Sequence, residues 1–294
     1  MIVMCIWIPG SPSHGMDAFP WQTLLTERIP KRIGRAMTGS EFVRYVSGMD
    51  TQQREEIIEE QLLAGNIPQF LRRLDPIPIE DGNGENPLTI IIFVMPDYLA
   101  IGANQDFIRI PMNFETARTI ANRFGFLLPT KKIVDILYER SDYRFRPEPM
   151  YPGPEMRSTR YYQRHNQMIR RQRLVLNAPL GSLLAGHKKD LVITRRLESH
   201  PNRVAIYGWH RLTGIPIQPL STVHGIRYAD YSHGVRLVSQ TVLVDGRRMS
   251  LYDVLDCPGL ARVLCGEGPI PSLSRIMGSR SPREARFTPY SPQG

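Results

Sequence analysis

LTIIIFVMPDYLAIGANQDFIRIPM, residues 88–112, is the stretch whose reading decides the fold. Its first seven residues are β-branched and apolar, DYLAIG follows after Met95-Pro96, and DFIRIPM alternates polar with apolar. A run that short and that rich in Ile is a buried strand, and alternation is a half-buried one, so two or three antiparallel strands are expected here. DGNGEN, residues 81–86, reads as the turn before them. Helical signals follow at once. Asn113 is placed to cap FETARTIANRF and Gly125 to end it, and Pro129-Thr130 opens KKIVDILYER.

Working towards the N-terminus, Asp50 with Gln53 three residues on forms a capping box for TQQREEIIEEQLLA, with Gly65 placed to end that helix. Ser40 is placed to cap a shorter helix, EFVRYVSG, and QFLRRL reads as a single helical turn before the Pro-rich DPIPIED. Residues 1–37 read as an irregular lead. Their opening, MIVMCIWIPGSPSHG, is apolar but has neither the basic start nor the small-residue cleavage site of an export signal.

Working towards the C-terminus, RPEPMYPGPEM (146–156) carries four prolines and is expected to be an extended connector between two lobes, 38–145 and 157–268. An Arg- and Gln-rich helix from Ser158 to about Leu176 comes next, closed by Asn177, Pro179 and Gly181. LVIT, RVAIYGW, GVRLVS and TVLVDG read as strands, with Asp245-Gly246 as a turn, and SLYDVL and GLARVL as short helices. Residues 269–294 are rich in Pro, Ser and Arg and are expected to be disordered. The class is therefore α+β: N-terminal helices and antiparallel strands, then a mainly antiparallel β lobe with short helices.

The composition is that of a globular protein, 41% hydrophobic and 22% charged over 294 residues. No apolar run approaches the roughly 20 residues of a spanning helix, so no transmembrane segment is expected. Cys5, Cys257 and Cys265 are too few for a disulfide framework. A net charge of +9 raises the question of a polyanionic partner, whether nucleic acid, an anionic cell-wall polymer or a membrane surface, against the plainer account of a solvated helix face with a basic tail. Much of the charge lies in Arg157, Arg160, Arg164, Arg170, Arg171 and Arg173 of one helix and in Arg275, Arg280, Arg283 and Arg286 near the end. Tyr161 and Tyr162 among those arginines give the helix stacking capacity for nucleic acid, but no recognised nucleic-acid motif accompanies them, which makes that partner the weaker choice.

Chemistry concentrates between His187 and Leu237, which holds five of the seven histidines. In HGIRYADYSHG, His224, Asp230 and His233 lie close enough for a folded-back loop to gather two imidazoles and a carboxylate, the minimum for a metal site or an oriented base. His210 is a further candidate ligand of such a site or a cap for its strand edge; the cofactor is left open, with zinc as the candidate metal. GHKKD adds His187 and Asp190 as supporting catalytic groups. Lys189 and Arg236 are assigned to substrate anions, with Tyr228 and Ser232 as further substrate contacts. Neither Ser221 nor Ser232 lies in GxSxG, and Cys257 lies outside the cluster.

VMPDYLAIG, FGFLLPTKKIVDILY, AGHKKDLVITRRL, YGWH and STVHGIRYADYSHGVRLV resemble a family of bacterial proteins, many of them exported, whose reaction is uncharacterised. The resemblance runs from about Thr38 to Ile270; it implies an exported location and a shared histidine cluster. His224-Gly225 followed by Ser232-His233-Gly234 and Arg236 is also similar to the catalytic strand of L,D-transpeptidases. The cysteine nucleophile of that motif is replaced by Val235, and Arg236 comes one position early. A fainter likeness links Ser221, His224 and Asp230 to zinc D,D-peptidases. Both imply cell-wall peptides as substrate. The expected function is a hydrolase, metal-assisted or not, acting on a polymer such as peptidoglycan. The alternative is a non-catalytic polyanion-binding module working through the Arg-rich helix.

Overall fold

The structure, a computed structural model, describes residues 20–82 and 87–278; the export-signal question at the N-terminus, most of the DGNGEN turn and residues 279–294 lie outside the described residues. A 3-10 turn over Pro20–Thr26 shows that the end of the expected irregular lead is structured. Helix α1 (Gly39–Tyr45) starts one step earlier than Ser40, capped by Thr38 with Glu41 completing a capping box. Helix α2 (Thr51–Leu63) has the expected box between Asp50 and Gln53.

The strands β1 (Asp75–Asp81) and β2 (Leu88–Val94) pair antiparallel along their whole length. β1 contains Pro76 and Pro78, and it is an edge strand, where a missing N–H costs no ladder bond. A hairpin of β3 (Ala100–Gly102) and β4 (Phe107–Arg109) leads into α3 (Phe114–Phe124). Gly125 ends α3 in the left-handed region at φ +83°, and β5 (Phe126–Leu127) follows. Then come α4 (Lys131–Arg140), capped by Thr130, β6 (Tyr143–Arg144), and α5 (Thr159–Val175), capped by Ser158. The last part of the described chain runs β7 (Leu184–Ala185), β8 (Lys189–Leu191), α6 (Arg196–Ser199), β9 (Ile206–His210), β10 (Pro216–Ser221), β11 (His233–Gly234), β12 (Val238–Ser239), β13 (Thr241–Val244) and β14 (Arg247–Ser250). Three short helices close it, α7 (Leu251–Asp256), α8 (Pro258–Leu264) and α9 (Leu273–Met277).

The class is α+β, as the sequence indicates. One sheet has the order β14-β13-β2-β12-β5 with β1 on β2, and a second has the order β10-β9-β8-β11. Most pairings are antiparallel, but β8 with β11 and β6 with β7 are parallel. Two further differences follow from burial. β2 precedes the Pro-rich segment at 146–156 and its partners β12 and β13 come after it, so one sheet spans that segment. The main apolar cluster takes in residues from Ile29 to Met277, and a smaller one gathers Phe145, Ile169, Ala178 and Leu184. At the other end, Ile270, Leu273 and Met277 are buried, so the segment expected to be disordered from residue 269 is packed into the core as far as α9.

Candidate functional site

The site is assembled by the parallel pair β8–β11, in which His233 lies opposite Lys189 and Gly234 opposite Asp190. The Lys189 N–H donates to the Ser232 carbonyl at 2.8 Å. This close approach requires a glycine at 234, because a Cβ there would lie 2.6 Å from the Tyr98 ring and 2.9 Å from Lys188 Cβ. Two polar groups flank the pair.

The first is closed. Arg109 holds Asp97 with two guanidinium nitrogens, Nε at 2.9–3.0 Å and Nη2 at 2.5 Å, and the Tyr98 N–H donates to the same carboxylate at 2.7 Å. His187 Nε2 lies 3.1 Å from Asp97 Oδ1. Burial works to raise the Asp97 carboxyl, but the charge of Arg109 and the hydrogen bond from His187 outweigh it and hold it below the usual carboxylate range. An ionised Asp97 only accepts, so His187 Nε2 carries the proton. Burial, against the pull of Asp97, brings His187 down to about 4, so the ring is neutral at pH 7. Behind it Tyr98 donates to Asp190 at 2.8 Å, and burial lifts Asp190 to about 6. Arg236 lies over the Tyr98 ring at 4.5 Å and donates to the carbonyls of Met95 at 2.9 Å and Leu184 at 2.5 Å.

The second group is not closed. Asp230 accepts from the Ser232 N–H (2.7 Å), the Ser232 hydroxyl (2.5 Å) and the Tyr228 hydroxyl (3.1 Å). Its Oδ2 lies 3.8 Å from His233 Nε2, beyond hydrogen-bond range. Burial pulls the Asp230 carboxyl upward, but the His233 imidazole, the Ser232 hydrogen bonds and Lys189 more than offset it, so Asp230 is an anion at pH 7. Burial brings His233 down to about 4, against the opposing pull of Asp230. The Tyr228 ring covers His233 at 5.6 Å, edge to face, and is itself stacked on His224 at 3.9 Å. Burial and Asp230 push Tyr228 up to about 12. Lys189 is half-buried, its ammonium 5.3 Å from the Trp209 ring centre, and burial lowers its pKa. Lys188, fully buried, donates to the Tyr231 carbonyl at 2.6 Å, and burial with the like charge of Arg109 brings it down to about 7.

Buried polar atoms normally find partners, so each one left without a partner calls for an explanation. Among the described residues five such nitrogens lie around this pair of strands: both ring nitrogens of His233, Nδ1 of His165, Nδ1 of His187 and the indole nitrogen of Trp209. Trp209 also has φ +57°, a strained value for an aromatic residue. His165 packs edge-on against Tyr231 at 5.1 Å and Trp209 at 6.2 Å.

The structure thus brings His224, Tyr228, Asp230, Ser232, His233 and Lys189 together and sends four other expected site residues elsewhere, among them His187, which is held in the closed group by Asp97. His210 lies against α4, its Nε2 3.1 Å from Asp135 and its ring stacked on Tyr138, so it is no partner of His233. Arg236 is buried and has spent its donors on backbone carbonyls, which removes it from substrate binding. Asp190 is engaged with Tyr98 and buried behind the closed group. The expected zinc set does not form: among the described residues no three His, Cys, Asp or Glu side chains converge into a metal-holding group. The Tyr228 ring touches both His224 and His233, and His210 belongs to another element. Trp209 and His165 were not singled out from the sequence. Their signals were there: a bulky residue after Gly208 in a strand, and a histidine four residues after Tyr161 on the apolar side of an otherwise basic helix.

No known family model, curated protein or solved structure matches the chain.

Proposed function

We propose that the chain is a hydrolase that cleaves amide or ester links in an anionic polymer such as peptidoglycan by acid/base chemistry on His233. The observation that carries this reading is a neutral imidazole with both nitrogens unspent beside an ionised, hydrogen-bonded carboxylate. The reaction requires an opening to the buried His233, and the part-exposed Tyr228 ring, 5.6 Å from it, is the group assigned to turn aside. His233 takes a proton from water as the oxygen attacks the carbonyl carbon, and returns it to the leaving nitrogen or oxygen as the C–N or C–O bond breaks. Asp230 stabilises the imidazolium formed between those steps. The Lys189 ammonium, beside the Trp209 ring, is assigned to the charge that develops on the carbonyl oxygen. Ser232 is committed to holding Asp230 and is not the nucleophile. A two-carboxylate glycosidase fits less well, because Asp190 is tied to Tyr98 and Asp230 stands without a second carboxylate.

The test is release of new amines or carboxylates from purified peptidoglycan. Replacing His233→Asn is expected to lower turnover about 10²–10⁴-fold with melting temperature retained. Wild-type activity should rise with pH through about 4, where His233 loses its proton, and survive a metal chelator. Equal turnover in the variant, or activity that vanishes with chelator and returns with zinc, overturns the reading.

A further inference from the structure

Helical spacing divides α5 into two faces. Tyr162, His165 and Ile169 are buried, while Arg160, Arg164 and Arg171 are exposed on the other side. The exposed side forms one wall of an open groove of about 990 Å³, which Arg144 and Arg146 help to line and in which Glu148 is the sole carboxylate. Three of these arginines are already engaged: Arg160 with Glu155 at 3.2 Å, Arg146 with Glu148 at 3.5 Å, and Arg144 with the carbonyls of Tyr138 and Glu139. Arg164 and Arg171 take part in no ion pair among the described residues. Seven residues apart, they stand about 10 Å from each other along the helix. Beside them Val175 is 80% exposed and Leu212 61% exposed, both lining the same groove.

We propose that this groove holds a run of the anionic polymer, Arg164 and Arg171 gripping successive anionic groups while Val175, Leu212 and Met168 cover the carbon skeleton between them. The proposal rests on the hydrolase reading for what the polymer is and adds how it is held. The required chemistry is a repeated carboxylate on a chain of aliphatic and sugar carbons. Nucleic acid fits the groove poorly: among the described residues no aromatic ring lines it, and single strands are held by stacking. The tyrosines that the sequence interleaves with the arginines point the other way, Tyr162 into the core and Tyr161 onto Tyr231. The groove also adjoins the catalytic loop. Two residues beyond Glu148, the Met150 N–H donates to the Tyr231 hydroxyl at 2.7 Å, and Tyr231 leads directly into Ser232-His233.

Fluorescence anisotropy of the full chain with fluorescein-labelled poly(glycerol phosphate), and separately with labelled polygalacturonate, tests this. Polygalacturonate should bind, more weakly as salt rises, and more tightly than poly(glycerol phosphate). The Arg164→Gln/Arg171→Gln pair should weaken binding roughly tenfold or more, whereas Arg35→Gln/Arg247→Gln, with the same net charge, should stay within about twofold. Equal losses in the two pairs, no binding of polygalacturonate, or tighter binding to poly(glycerol phosphate), to a DNA 20-mer or to anionic phospholipid vesicles would each overturn the proposal. Binding is read without turnover, so a wild-type chain that binds but hydrolyses nothing removes the hydrolase and leaves the groove. His233→Asn should bind as wild type does.

Discussion

His187, in the bend two residues before β8, and His233, on the neighbouring β11, flank the same small sheet, and both rings are fully buried and brought down to about 4 by that burial. They differ in what surrounds them. His187 meets an aspartate already gripped by Arg109, and together they form a closed set in which one ring nitrogen has work to do. His233 stops 3.8 Å short of an aspartate whose acceptor positions are taken by Ser232 and Tyr228. Equal burial therefore comes with different bonding: one ring is bonded to its acid, whereas the other, kept just out of reach, leaves both nitrogens unpaired.

The most damaging way to probe the closed set is Arg109→Leu, which leaves the Asp97 charge buried with only the His187 ring and the Tyr98 amide. A loss of about 3–5 kcal/mol is expected in urea denaturation. A loss below about 1 kcal/mol would mean that Asp97 is not held as an anion. Gly234→Ala comes next, because its methyl would press on Tyr98 and Lys188 at the seam between the two groups; the expected loss is about 1–3 kcal/mol. The sharpest comparison pairs the two rings themselves. His187→Leu should cost about 1–3 kcal/mol by stripping a donor from Asp97, whereas His233→Leu should change stability by less than about 0.5 kcal/mol, since it removes a buried group with no partner. If the costs came out reversed, the roles of the two histidines would have to be exchanged.

What the sequence made legible was local. The caps at Asp50, Asn113 and Thr130, the αL glycine at 125 and the Asp245-Gly246 turn all depend on a few consecutive residues, and each stands where expected. Strands β1 and β10 were missed because Pro76, Pro78, Pro216 and Pro219 read as breakers, although both are edge strands that tolerate proline. Of the site, His224, Asp230 and His233 could be grouped because ten positions hold them. The pairing of His233 with Lys189, 44 positions away, depends on two strands meeting, and no local signal reports that. For the same reason burial of Arg236 and the turn of His210 towards Asp135 were invisible: each is fixed by an element far off in the chain.

The placement of β2 has a consequence for how the chain is made. One edge of β2 is matched to β1, its neighbour in the chain, but the other waits for Val238 and then Leu243-Val244. At ribosomal speeds of about 5–20 residues per second, the strip LTIIIFV stays open on that side for on the order of 10 s after it is synthesised. A nascent chain with so apolar a strip uncovered for that long is a natural client for holdase chaperones.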